Sequence, residues 1–144
     1  MKSITFLFLL FAVTYFSSGQ TASTNDSQDE ALIRATIGNY FEGWMTGDTT
    51  KVGSAMHATC QLKNIKDGEV VVFDRATYLG FFKPRPRRKN SGGKIVEIDI
   101  TGYIASAKCE IETPKRLYTD YFNMMKVGER WYIVDKVAMS VLKE

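Results

Sequence analysis

The last third of the chain alternates. From Lys94 to Leu142, apolar residues fall at every second position in four successive runs: "KIVEIDITGY", "IASAKCEIET", "KRLYTDYFNMMKV" and "RWYIVDKVAMSVL". A period of two fits extended backbone, whose side chains point to opposite faces in turn, and does not fit a helix. Short breaks at Gly102, Pro114 and Gly128 separate the runs, so an antiparallel sheet is expected.

The last two runs raise a chemical question. A two-residue turn at Gly128–Glu129 would pair Lys126 with Trp131, Met124 with Ile133 and Phe122 with Asp135. The more apolar face then holds Phe122, Met124, Trp131, Ile133, Val137 and Met139, and it should meet the helices. Asp120 and Asp135 share that face as diagonal neighbours within ~7–8 Å. Two carboxyls among large apolar side chains would have at least one pKa raised, as an acid/base pair near neutrality requires. The alternative is structural: salt bridges to Arg34, Lys108 or Arg116, or a register change of one residue that turns both acids outward.

The first half has the other period. In "DEALIRATIGNYFEGWMTGD", Leu32, Ile33, Ile37, Tyr40, Phe41 and Trp44 recur at three- and four-residue spacing, which predicts an amphipathic helix closed by Gly47. Asp26, Ser27 or Asp29 would cap it. A short second helix, "TTKVGSAMHA", starts at Thr49 or Thr50; a hairpin follows, turning at Asp67–Gly68. Asp74 caps a third helix, "DRATYLGFF", and the loop "KPRPRRKNSGGK" leads to the strands. Helices gathered early and strands late indicate an α+β fold: a curved antiparallel sheet wrapped around three N-terminal helices.

Composition adds an address. "MKSITFLFLLFAVTYFSSGQ" has a basic start, an apolar middle and a small-residue end, the order of a secretory signal, and it is short for a membrane span of ~20 residues. Residues 1–20 are therefore expected to be a signal peptide, 21–28 a flexible lead-in and 29–144 one domain, periplasmic or secreted and not membrane-bound once the signal is removed. Without the first twenty residues the net charge is +2, too balanced to imply nucleic-acid binding. Cys60 and Cys109 are either a disulfide of an oxidising compartment or two small buried hydrophobes. Neither their spacing nor any other pattern suggests a metal site, and no cofactor motif is present. "KPRPRRK" carries five basic residues: a solvated loop, or a contact for a phosphate, an acidic glycan or a lipid surface.

Three stretches, "IRATIGNYFEGWMTGD", "SAMHA" and "DYFNMMKVGERWYIVDK", together resemble the nuclear transport factor 2-like superfamily, in its lumazine-binding and SnoaL-like branch. The resemblance spans roughly Asp29 to Leu142 and implies a cone-shaped, cystatin-like roll with a pocket between sheet and helices. Its members include isomerases, dehydratases, cyclases, ligand carriers and partner-binding domains, so the fold does not choose among them. Where the family often has His-Pro-Asp, this chain reads His57-Ala58-Thr59, which removes support for an acidic base just after the second helix.

In such a pocket Tyr40, Trp44, Met56, Tyr78, Phe82, Phe122 and Trp131 would line a site for a small hydrophobic or planar molecule, or simply pack as core. His57, the single histidine, would face the pocket mouth as a proton carrier, or interact with free carbonyls at a helix end. The leading expectation is an exported small-molecule-binding domain, dimeric through Tyr121, Met125, Tyr132 and Val134 on the outer sheet face. The alternative is a cofactor-free isomerase, dehydratase or cyclase using Asp120, Asp135 or His57.

Overall fold

A computed structural model describes residues 24–143; the signal-peptide expectation falls outside the described residues. The order is α1 (Thr24–Thr46), α2 (Thr49–Ala55), β1 (Met56–Lys66), β2 (Glu69–Asp74), α3 (Arg75–Gly80), β3 (Gly92–Thr101), β4 (Ile104–Glu112), β5 (Arg116–Val127) and β6 (Arg130–Leu142). The six strands form one sheet in the order β2-β1-β6-β5-β4-β3. All neighbours are antiparallel except β1 and β6, which run parallel. The α+β fold with a curved sheet and three helices is as the sequence indicates.

The helices end and begin where local chemistry requires. α1 buries Ile33, Ile37, Tyr40 and Met45 completely. It stops at Gly47, whose φ of +68° suits a residue without Cβ. Asp48, rather than a threonine, caps α2 by accepting a hydrogen bond from the Lys51 N–H at 3.1 Å. Asp74 caps α3 through the Thr77 N–H at 2.7 Å. The β1–β2 turn places Asp67 at φ +54° and Gly68 at +85°, the two left-handed residues such a tight hairpin needs.

Trp131 ties α1 to the sheet. Its indole N–H donates to Asp29 Oδ1 at 3.0 Å, and its carbonyl accepts from Thr36 Oγ1 at 3.1 Å. Asp29 also meets Lys126 Nζ at 2.7 Å. Asp29 therefore holds the sheet rather than capping the helix, which begins five residues earlier.

The register of the closing hairpin departs from strict alternation. Lys126 pairs with Trp131 and Met124 with Ile133, as expected. The next pair is Asn123 with Asp135, so Val134 is an extra residue, a β-bulge. Phe122 consequently faces Lys136, not Asp135. The bulge shifts β6 alone, so Trp131, Ile133 and Lys136 are buried while Val137 and Met139 are exposed. Similar irregularities occur in β3 at Val96 and in β1 between Met56 and Gln61. The shift in β3 lets Ile95 join Ile98 and Ile100 against the core, where simple alternation would part them.

Candidate functional site

A buried ion pair occupies the middle of the core. Lys136 Nζ lies 2.5 Å from Asp120 Oδ1, and the two residues are 4% and 1% exposed. The bulge delivers the lysine, and the inward row of β5, Tyr118-Asp120-Phe122-Met124, delivers the acid. Apart from this contact neither Asp120 oxygen receives a hydrogen bond among the described residues. The Lys136 ammonium sits 5.6 Å from the centres of both the Tyr40 and Phe122 rings. Beside it the Tyr40 and Tyr78 hydroxyls share a hydrogen bond of 2.5 Å.

Desolvation sets the protonation of this cluster. Burial pulls the Lys136 ammonium below its ordinary pKa, with Asp120 opposing the shift. Burial likewise raises both tyrosine hydroxyls well above their usual value. Cys60 and Cys109 flank the pair as free, buried thiols, each pushed up to about 12 by desolvation. They do not form the disulfide entertained from the sequence, and as protonated thiols they are poor nucleophiles.

The other expected site residues divide. Tyr40, Met56, Tyr78, Phe82, Phe122 and Trp131 belong to one buried cluster, with Tyr40 edge-on to Phe122 at 5.0 Å. Trp44 is half-buried at its margin, edge-on to Tyr118 at 5.2 Å. Asp135 leaves the interior and pairs with Lys63 on neighbouring β1. His57 also lies away from the ion pair: its ring meets Tyr132, and its Nδ1 is 2.8 Å from Thr59 Oγ1. The structure thus brings Asp120 together with the tyrosines and separates it from Asp135 and His57.

Strict alternation turns Lys136 outward and so does not find it. Its signal was a lysine inside the apolar run "YIVDKVAM", one position from the acid taken to face inward. Among the described residues no cluster of His, Cys, Asp and Glu is placed to hold a metal ion.

A family model described as "Putative lumazine-binding" matches residues 28–138. The chain belongs to this family. Its fold is that of the nuclear transport factor 2-like superfamily. A nuclear transport factor 2-like protein of Shewanella baltica superimposes with a TM-score of 0.74, at 23% identity, covering 83% of this chain and 98% of its own. A ketosteroid isomerase-like protein of Erwinia carotovora gives a TM-score of 0.60 at 14% identity, covering 77% and 95%. In sequence, the chain is 27% identical over 116 residues to a protein named aldolase FrzH from Cladobotryum sp, across 79% of this chain and 92% of the relative. The two structural likenesses speak to fold, and membership in the lumazine-binding family fits a ligand-binding or isomerase-type domain.

Proposed function

We propose that this family member is an exported small-molecule-binding domain whose ligand seats between helices and sheet, against the Asp120–Lys136 pair and the Tyr40–Tyr78 hydroxyls. The buried ion pair carries the reading. A desolvated pair contributes less to stability than well-packed apolar residues of similar volume, so a role in recognition accounts for its place in an otherwise apolar core. Beyond its contact with Lys136, Asp120 retains acceptor capacity that no group among the described residues fills. The aromatic rings around it pack on one another in the core, so a small molecule with an apolar or planar body would take its place by parting them. The domain pairs with a second copy through the outer sheet face: of the four residues expected there, Tyr121 and Met125 are about half exposed and Tyr132 and Val134 half-buried, while the bulge adds Val137 and Met139, which strict alternation would have turned inward.

Native mass spectrometry of protein purified from its own host tests the binding role. A retained small molecule is expected in the wild type and absent from Asp120→Leu/Lys136→Met. Protein that carries none, and whose melting temperature no planar organic molecule raises, would defeat the reading. Light scattering across a dilution series tests the dimer, and a monomer throughout would remove it.

A cofactor-free enzyme of isomerase, dehydratase or cyclase type is the second reading, favoured by an acid facing inward beside a desolvated ammonium. Asp120 would take the proton and Lys136 would stabilise the developing oxyanion. Planar ketones incubated with the protein in deuterated buffer distinguish the two. An enzyme exchanges the proton next to the carbonyl and loses this activity in Asp120→Asn, whereas a binding domain exchanges none.

A further inference from the structure

The basic loop after α3 is not loose. Arg85 donates its backbone N–H to the Thr46 carbonyl at 2.8 Å and its guanidinium Nη2 to the Trp44 carbonyl at 2.6 Å. The Arg88 N–H reaches the Met45 carbonyl at 3.2 Å. Three carbonyls of the last turn of α1 are satisfied this way, at the helix end that favours positive charge. Gly47 lets the loop pass, since a Cβ there would stand 1.8 Å from the Lys83 carbonyl oxygen. The chain between β4 and β5 is fixed as well: the Thr113 N–H donates to the Arg116 carbonyl at 2.9 Å, and the Arg116 N–H to Thr113 Oγ1 at 3.0 Å.

These two anchored segments face each other across a hollow of about 460 Å³. Arg88 and Lys89 come from one wall, Lys115 and Arg116 from the other, with Ser91 and Tyr118 between them. Among the described residues no acidic side chain lines it. The nearby Glu112 and Glu42 are occupied by Lys143 and Arg87. Arg88 lies 5.0 Å over the Trp44 ring, which is itself packed on Tyr118, so cations and aromatic surface are contiguous. Tyr118 stands in the same inward row as Asp120, about 7 Å along β5.

We infer that this hollow binds a small organic anion, a phosphate or phosphonate monoester with an aromatic body. The four cations take the anionic group and Tyr118 takes the ring, with Trp44 packed behind Tyr118 and under Arg88 so that it senses the bound ligand. The volume suits a single small ligand, and held walls lose little freedom on binding. The site is separate from the Asp120–Lys136 cluster and does not depend on its role.

Phenyl phosphate titrated at low ionic strength into the full domain is the test, followed by the indole N–H signals in a ¹H–¹⁵N spectrum. The Trp44 signal should shift saturably while Trp131, bonded to Asp29, stays still. Inorganic phosphate should bind more weakly and benzyl alcohol should not bind. Lys89→Glu/Lys115→Glu changes only exposed side chains and should weaken phenyl phosphate roughly tenfold or more, as should added salt. A Trp44 signal that does not move, or one that moves equally with benzyl alcohol or in the charge-reversed variant, overturns the proposal. Equal binding of inorganic phosphate overturns its aromatic half. Sedimentation with phosphatidylglycerol vesicles in the absence of phenyl phosphate binding assigns the charge to a membrane surface instead and also overturns it.

Discussion

Replacing Lys136 by Met keeps most of the side-chain volume and removes the charge. Asp120, 1% exposed, then loses its ion-pair partner while staying out of reach of bulk solvent. Breaking a buried pair from one side costs ~3–5 kcal/mol, because the remaining charge stays desolvated. For a domain of this size that corresponds to a fall in Tm of roughly 10–25 °C. The exposed pair Arg34–Glu30, with side chains 52% and 45% accessible, supplies the comparison. Its removal should cost no more than ~0.5 kcal/mol. Asp120→Leu/Lys136→Met, which removes both charges, should recover most of the loss and even exceed the wild type. Urea unfolding at pH 7, followed by tryptophan fluorescence, measures these three variants and Asp120→Leu alone. If Lys136→Met costs under ~1 kcal/mol, or the double variant costs the sum of the two single ones, the pair is not desolvated and coupled as described.

Gly47→Ala should destabilise by more than the ~1–3 kcal/mol of a strained backbone alone, because the Lys83 carbonyl blocks the new methyl group. Gly128→Ala, at φ +60° with nothing nearby, is the control and should show only the backbone cost in thermal melts. Tyr78→Phe strands the buried Tyr40 hydroxyl and should cost ~1–3 kcal/mol, whereas Tyr40→Phe/Tyr78→Phe should be milder; denaturant titrations compare them. Lys126 and the Trp131 indole hold the Asp29 carboxyl below its usual value of 3.8, and Asp29 in turn raises Lys126. The lowered acid contributes stability above its unfolded pKa that is lost as pH falls through the folded one. The raised lysine contributes stability below 10.5 that is lost as pH rises through its folded value. Melting curves across pH should therefore flatten at both limbs in Asp29→Asn.

Period and punctuation were enough to read most of this fold. The apolar spacing of α1, the Asp67–Gly68 hairpin, the Asp74 cap and the inward rows of β4 and β5 all follow from local chemistry. The parallel pairing of β1 with β6 does not, because it joins segments with most of the domain between them. The site was half legible for a similar reason. Asp120 lies on a strand of unbroken alternation, so its face could be counted from Phe122 and Met124. Asp135 and Lys136 lie beyond a bulge at Val134, a β-branched residue like Ile133 before it, with nothing in its type to mark the irregularity. One extra residue exchanges an acid for a base at the interior position, and only packing against Phe122 decides which enters. The basic loop shows only its charge in the sequence, since the hydrogen bonds that anchor it run to carbonyls at the far end of α1.

The place of β6 has a consequence for how the domain is made. The last strand along the chain lies inside the sheet, between β1 and β5. Until it arrives, β2 and β1 form an isolated ribbon, β3, β4 and β5 another, and Trp131, Ile133 and Lys136 are missing from the space between them. An emerging chain therefore has no complete interior to collapse upon until its final strand is free to enter. The interior of such a domain closes in one late step, when β6 enters between β1 and β5 and brings Trp131, Ile133 and Lys136 with it.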